Sequence, residues 1–509
     1  MAAPDAAPPL WLDAAGRPSP DAQVALGLLQ RADAQGLDPR DYDAEALAAM
    51  ASRLRAAAPS PAGEATGFER RLNAATVRYL HDLHEGRVDP RTIGFHMAVP
   101  DDRHDFPAIV RDAVLRHDLA AVVASYEPQI DQYAALRREL ARYRGLAAGP
   151  PLELGPPPRG ARSVRAGETF ADVAPLQRLL VALGDLAPGS VPPGTVLYEG
   201  PLVDGVRRFQ SRHGLAADGV LGLRTRQAMA VPVANRVRQI ELALERLRWL
   251  PHLDPGGFVV VNIPIFRLVA WEPAAAGAPP DRRAAPQLAM GVIVGRALDR
   301  ETPVFADEVE EVIFRPYWNV PASIVRGEVL PAVARHPGYL ERHDMEIVDG
   351  PGDDARHVAT SAQSLALLRD GKLRLRQRPG PANALGLVKL VFPNASNVYL
   401  HGTPAPELFQ NARRDFSHGC VRVEDPVALA EWALAGEAGW DRARIVAAMN
   451  GRGQLRVRLG RPRQVILFYV TAIVRSDDHT IHFADDIYGH DGGLERALAA
   501  RADARRQLP

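Results

Sequence analysis

Apolar positions change their spacing along this 509-residue chain. From Ala22 to about Arg144 they recur every three or four residues, which predicts helices. Leu26, Leu28 and Leu29 lie on one, Leu72, Val77, Leu80 and Leu83 on a second, and Ile130, Tyr133, Leu136 and Leu140 on a third. Pro90, Pro100 and Pro107 punctuate the region. Further helix faces follow at Leu176, Leu179, Leu180 and Leu183 and at Val203, Val206 and Phe209. Val233, Val237, Ile240, Leu244 and Leu247 form one stripe, which Pro251 stops. From Phe258 the pattern turns to β-branched and aromatic runs. These are 258–271, 290–294, 311–314, 386–392 and 398–401, which predict strands. Between 321 and 382 the strand signal fades into helical pieces such as 361–368 and Gly/Asp turns at 349–354. That stretch reads as an insertion folding over one side of a β core, a candidate lid.

These shifts predict a multidomain α plus β fold. Residues 1–21, rich in Ala and Pro, read as a disordered arm, and 22–148 as a helical domain. Residues 149–165 are a Pro-rich linker, 166–232 a three-helix unit and 233–257 a connecting helix. Residues 258–488 form a β-rich domain holding the 321–382 insertion, and 489–509 a C-terminal tail.

Composition narrows the functional classes. At 47% hydrophobic and 24% charged, the chain is globular rather than disordered. Basic and acidic residues both number 61, so no net charge draws it to nucleic acid or an anionic membrane. Among the cations only Lys372 and Lys389 are lysines. A single cysteine, Cys420, excludes an intramolecular disulfide and any multi-cysteine metal site. No run of eighteen apolar residues predicts a membrane span. The start, Met1-Ala-Ala-Pro-Asp5, has neither the basic nor the apolar region of a secretory leader, which by itself reads as cytoplasmic. His81 and His84, three apart with no third ligand in view, read as helix surface.

The segment that carries chemistry is His401-Gly-Thr-Pro404 followed by Ser417-His-Gly-Cys-Val-Arg-Val423. A free thiol has a pKa of about 8.5 and needs a base or cation nearby to act as a nucleophile at neutral pH. His401 ends a predicted strand and His418 lies two residues before the thiol. Gly419 permits a backbone turn that can aim amide N–H groups at one point, as an oxyanion requires. Cys420–Val423 reads as a strand, with Asp425 as N-cap and Pro426 as N1 of the helix that follows. Two other readings stand beside this one. A lone cysteine is often a buried inert thiol, and His401, His418 and Cys420 together make only three ligands for a metal. Spacing alone does not decide between the nucleophile and the inert thiol.

Two resemblances do. Phe209-Gln-Ser-Arg-His-Gly-Leu215 and Asp218-Gly-Val-Leu-Gly-Leu-Arg-Thr225 resemble the peptidoglycan-binding three-helix module. Its glycines and Thr225 either serve wall-glycan binding or only shape the fold. His401-Gly-Thr and Ser417-His-Gly-Cys-Val-Arg422 resemble the catalytic signature of the L,D-transpeptidases. The segments 316–321, 378–386, 392–394, 398–401 and 486–488 extend the likeness to the large, multidomain Gram-negative branch.

The resemblance implies a helical scaffold domain, a peptidoglycan-binding domain and a β-rich catalytic domain with a capping subdomain at 321–382. It makes Cys420 the nucleophile and His401 a base balanced near pH 7 between its neutral and charged forms. Gly419, His418, Ser417 and Gly402 become oxyanion or supporting groups, and Arg422, Tyr399, Tyr317, Trp318 and Asn383 substrate contacts. The implied reaction cross-links diaminopimelate residues of two peptidoglycan tetrapeptide stems, donor and acceptor, through a cysteine thioester, with no cofactor and no metal. Other cell-wall synthesis enzymes are further expected partners, nucleic acid is not, and a carbapenem-type β-lactam is expected to label Cys420. The substrate implies the periplasm, with an export signal removed or missed. A carboxypeptidase or lipoprotein-attaching variant shares the same nucleophile; a wall-binding scaffold is the non-enzymatic alternative.

Overall fold

A computed structural model describes residues 9–56, 62–97, 104–152, 154, 163–272, 286–297 and 300–506. The chain forms two compact units, Met1–His252 with Tyr469–Pro509, and Leu253–Phe468.

In the first unit the predicted helical stripes bury themselves against one another. Pro20–Gln30, Ala44–Ala56 and Ala62–His84 share a core with Leu26, Leu47, Leu54, Phe68, Leu72, Leu80 and Leu83. The expected disordered arm is partly wrong. Residues 1–8 lie outside the described residues, but Trp11 is fully buried in this core, and its backbone N–H donates to Glu69 Oε1 at 2.6 Å. One large aromatic offsets the poor core-forming composition around it. Of the expected linker, 153 and 155–162 lie outside the described residues.

The three-helix unit comprises Val173–Leu183, Pro201–Arg212 and Leu223–Met229. Gln210 is its internal tie. Its amide nitrogen donates to Asp218 Oδ1, Val220 O and Thr225 Oγ1 at 2.9–3.0 Å, and its oxygen accepts from Gly219 N at 2.8 Å. Gly219 has φ +73°, and a Cβ there would meet Val203 Cγ1 at 2.8 Å.

Residues 469–506 also pack in this unit, so the expected boundary of the β-rich domain at 488 moves back to Phe468. Strands Ala472–Val474 and Ile481–Phe483 pair with each other. Ile481 O accepts from Arg212 at 2.8 Å, and Gln239 donates to Thr471 O and Ala484 O. Asp486, matched above to the catalytic family, instead accepts from Tyr469 OH at 2.7 Å. The expected tail is a helix, His490–Arg506, whose Arg501 pairs with buried Asp82 at 2.6 Å.

In the second unit the main sheet runs through β1 (Phe258–Asn262), β2 (Arg267–Trp271), β3 (Leu288–Gly295) and β4 (Phe305–Phe314). A separate four-stranded sheet holds β5 (Trp318–Asn319), β6 (Met345–Asp349), β7 (Arg356–Val358) and β8 (Arg374–Gln377). The main sheet resumes with β9 (Val388–Val391), β10 (Leu400–His401), β11 (Asp415–Ser417), β12 (Val421–Val423) and β13 (Leu455–Phe468). Its order is β11-β3-β12-β10-β9-β4-β13-β1-β2, and β3 also pairs with β2, closing the sheet on itself. The small sheet, ordered β5-β8-β6-β7, belongs to the inserted segment. Helices pack on it around Ile324, Val329, Leu340, Ile347, Leu368 and Leu375. The insertion is thus a mixed subdomain with its own core, where the sequence pattern predicted fading strands. Among the described residues, no helix is long and apolar enough to cross a membrane.

Trp11→Ala should lower the stability of the helical unit by about 3–5 kcal/mol, the usual cost of deleting a buried tryptophan. Denaturant unfolding of the full chain measures this; an arm without packing would give no change.

Candidate active site

Three neighbouring strands of the main sheet carry the site. β9 and β10 pair antiparallel with Lys389 opposite His401. β10 and β12 pair parallel with His401 opposite Arg422 and Leu400 opposite Val421. Carried back one residue, that register sets Tyr399 beside Cys420; the Val421 N–H donates to Tyr399 O at 3.1 Å. Side chains two apart on a strand share a face. Lys389, His401 and Arg422 therefore form one row across the sheet, with Tyr399 and Cys420 beside it on the same face.

His401 is buried at 4% exposure, and its Nδ1 lies 2.6 Å from Gly402 O. A carbonyl only accepts, so Nδ1 carries the hydrogen and the lone pair of the neutral ring is on Nε2. Burial, together with the Arg422 and Lys389 charges, pushes the imidazole down to about 3. The expected balance near pH 7 is not met, because two cations flank a ring that water does not reach. Cys420 is half-buried, and its thiol contacts Asn397 O at 3.8 Å. Burial pushes this thiol up, against opposing hydrogen bonds from Tyr399 and the charges of Lys389 and Arg422.

Arg422 and Lys389 are both partly buried, and neither makes an ion pair among the described residues. Arg422 Nε is buried without a hydrogen-bond partner. A structural ion pair for Arg422 therefore has no acid among the described residues. Lys389 Nζ rests 3.7 Å from the centroid of the Tyr399 ring, which meets the His401 ring edge-on at 5.6 Å.

The turn before Cys420 is held from several sides. Gly419 adopts φ +117°. Ser417 Oγ donates to Cys420 O at 2.5 Å and accepts from Gly419 N at 3.1 Å. The Gly419 N–H is thus committed to Ser417 and does not serve an oxyanion as expected, whereas the Cys420 N–H has no partner among the described residues. Gly402 has a supporting role, one of the two expected of it. Its N–H donates to Val388 O at 3.0 Å, and its carbonyl orients His401.

His418 points out of the site. Its Nε2 lies 2.8 Å from Glu328 Oε1 in the inserted subdomain, and Arg300 Nη1 reaches the same oxygen at 3.1 Å. The His418 and Arg300 contacts hold the Glu328 carboxyl below its usual range. Glu328 sits in a π-helical turn, Val325–Val329, a local widening that shifts side chains out of ordinary helical register.

Three expected substrate contacts lie elsewhere. Trp318 on β5 packs against the insertion's own core. Tyr317 lies under Arg376, 4.2 Å from its ring centroid. Asn383 is buried at 1% exposure and holds Pro316 O, Arg378 O and Leu385 N, so it staples a loop. None of the three stands on the strands that carry the thiol.

Sequence reasoning missed Lys389, Glu328, Thr302 and Gly295. Thr302 is fully buried; its Oγ1 donates to Gly419 O at 2.8 Å and accepts from Gly295 N at 2.9 Å. A Cβ at Gly295 would meet Arg300 O at 1.9 Å and Gly419 Cα at 2.9 Å, so only glycine lets these backbones approach. No local motif marks Thr302 or Gly295. The one available signal for Lys389 was the rarity of lysine.

Comparison with known proteins agrees with this architecture. Residues 3–140 match the model of a scaffold domain, 171–229 that of a "Putative peptidoglycan binding domain", and 257–446 that of the L,D-transpeptidase catalytic domain. A Haemophilus influenzae protein named "Putative L,D-transpeptidase" is 31% identical over 266 residues, 52% of this chain and 50% of that one. The match thus spans half of that relative's length. A crystal structure of an L,D-transpeptidase (residues 123–326) from Xylanimonas cellulosilytica is 16% identical, with 61% of this chain and 100% of that chain covered. Its TM-score of 0.16 adds nothing to the assignment. Residues 257–446 thus match the L,D-transpeptidase catalytic domain, and the same chain carries separate matches to a scaffold domain and a peptidoglycan-binding domain.

Proposed function

We propose that the protein is a peptidoglycan L,D-transpeptidase that works through a Cys420 thioester outside the inner membrane, in the periplasm. The carrying observation is the single sheet face that holds one thiol, one neutral imidazole and two cations that have no acidic partner among the described residues. An inert buried cysteine needs none of these neighbours.

In the proposed reaction Cys420 gives its proton to His401 Nε2 as sulfur attacks the carbonyl carbon of diaminopimelate in a donor tetrapeptide stem. The C–N bond to the terminal D-alanine breaks, and His401 returns the proton to the leaving amine. The Cys420 N–H faces the oxyanion, with the Tyr399 hydroxyl as a further donor at the sulfur. The side-chain amine of a second stem's diaminopimelate then attacks the thioester, passes its proton to His401, and releases the cross-linked product with the thiol restored. Arg422 holds a carboxylate of the stem. The inserted subdomain, tied to His418 through Glu328, keeps water from the thioester until the amine arrives.

A neutral thiol beside a neutral imidazole differs from a resting thiolate–imidazolium pair in its pH response. Alkylation of Cys420 by iodoacetamide should rise steadily with pH through about pH 9, because burial raises the thiol. Rates against pH measure this, and a plateau reached below pH 7 would reject the neutral pair.

Incubation with a carbapenem should give one covalent adduct by intact mass, absent in Cys420→Ser. Incubation with tetrapeptide-bearing wall fragments should give new cross-linked dimers. Trimmed stems without dimers would assign hydrolysis instead, and no adduct and no change would remove the enzyme reading.

Thr302→Val keeps the side-chain shape but removes the hydroxyl that accepts from Gly295 N and donates to Gly419 O. It should cost about 1–3 kcal/mol of stability in the catalytic unit. It should also slow acylation of Cys420 about tenfold with little change in KM, as expected for a displaced nucleophile. Unfolding curves and single-turnover acylation measure the two effects separately.

A further inference from the structure

Lys389 is unusual for a lysine of this chain. The protein draws on Arg for all but two of its 61 basic residues, and the other lysine, Lys372, lies between the helix Ala362–Arg369 and β8. Lys389 stands on β9, opposite Ile313 on one side and His401 on the other. An ordinary lysine extends its ammonium into water. This one is turned onto the Tyr399 ring, 3.7 Å from its centroid, and is partly desolvated. The acids whose charge reaches it, Asp353 and Glu311, are engaged by Arg456 at 3.2 and 2.7 Å. On the far side of His401 in the same row, Arg422 is also without an acidic partner among the described residues. Two desolvated cations on one face, with no anion between them among the described residues, form a site whose charge a ligand can complete.

We propose that Lys389 is a substrate-binding residue that pairs through its ammonium group with the free terminal carboxylate of the donor peptide. It thereby selects stems ending in an unblocked acid. This rests on the transpeptidase reading and adds to it a group and a specificity. The carboxylate follows from the geometry of the bond to be broken. The leaving residue's carboxylate carbon is three bonds from the scissile carbonyl carbon, whereas the side-chain carboxylate of diaminopimelate is six bonds away. Lys389 rests on the ring of Tyr399, the residue beside Cys420 across the strands, and from there meets the nearer, terminal carboxylate. Arg422, two residues beyond Cys420 on β12, is left to the more distant acid. Binding at Lys389 also acts on the base. The ammonium is one of the charges that hold the His401 ring neutral, and an anion beside it offsets that charge as the ring takes the thiol proton.

The test uses the full-length protein and two donors, a soluble diaminopimelate tetrapeptide with terminal D-alanine as the free acid and the same peptide as its terminal carboxamide. Single-turnover acylation and kcat/KM are measured for wild type, Lys389→Met, Lys389→Gln, Lys389→Arg and Arg422→Gln. The expected wild-type preference for the acid is about 10- to 100-fold, the scale of one charge-assisted pair. In Lys389→Met and Lys389→Gln the acid falls to the level of the carboxamide, and the preference drops to within about threefold of unity. Lys389→Arg retains a preference, and Arg422→Gln slows both donors alike. A wild-type preference near unity overturns the proposal without any variant. So does a preference unchanged in both Lys389→Met and Lys389→Gln, or one that collapses only in Arg422→Gln. If wild type acylates with neither donor, the transpeptidase reading falls and takes this assignment with it. Activity on both donors without discrimination removes Lys389 alone.

Discussion

A one-residue slip between β10 and β12 would send His401 and Cys420 to opposite faces of the sheet, because side chains alternate along a strand. The site depends on that register. It is pinned at both ends by contacts that do not touch the reacting atoms. At the start of β12, Thr302 ties Gly419 O to Gly295 N, and Gly295 admits no side chain. At its end, Glu424 Oε2 accepts from Gly291 N at 2.7 Å, and Asp425 caps the helix Pro426–Ala433 through Ala428 N. On the β10 side, Gly386, at φ +64°, lies against the Gly402–Thr403 backbone, and Asn383 fixes the loop leading to it. The polar atoms nearest the thiol are thus placed by the backbone, with little left to side-chain freedom.

The same register concentrates positive charge. Lys389 and Arg422 bracket a buried ring, and nearby acids are matched elsewhere: Glu311 and Asp353 to Arg456, Glu328 to His418 and Arg300. Leaving two cations partly desolvated costs folding free energy. Such a cost persists where a ligand recovers it, and here it also fixes the protonation of the base. A charged His401 between Lys389 and Arg422 would be the third cation of a row. The ring therefore rests neutral and can accept a proton.

Much of this was legible in the residues. The Ser417-His-Gly-Cys run, the strand after it and the Asp425–Pro426 helix start are local patterns, and each appears where period and capping chemistry place it. The runs at 258–271 and 386–392 became strands because β-branched side chains fit a pleated, half-buried surface. The insertion misled because β6 and β8, Met-Glu-Ile-Val-Asp and Arg-Leu-Arg-Gln, carry charged residues that pair with each other. Glu346 takes Arg376 at 2.7 Å across the two strands, so polarity there marks a buried ion pair rather than a loop. The N-terminal arm misled because composition averages away a single anchor, Trp11. The C-terminal return to the helical unit and the Thr302–Gly419 tie are long-range pairings between segments with no shared pattern, and period and composition do not encode them.

The two motifs that carried the family resemblance behave differently in the structure, and the difference lies in unspent bonding capacity. In the three-helix unit, Gln210 uses both ends of its amide on Gly219, Asp218, Val220 and Thr225, and the Thr225 hydroxyl donates to Val220 O. Those residues are consumed by the fold, so their pattern explains a turn and says little about a ligand. In the catalytic unit, Ser417, Gly402 and Thr302 are equally consumed. They surround an amide at Cys420, an imidazole lone pair at His401, and cations at Lys389 and Arg422 that the fold leaves open. A motif residue whose polar atoms are all matched within the chain supports architecture. One held in place with an atom still unmatched is where a substrate is recognised.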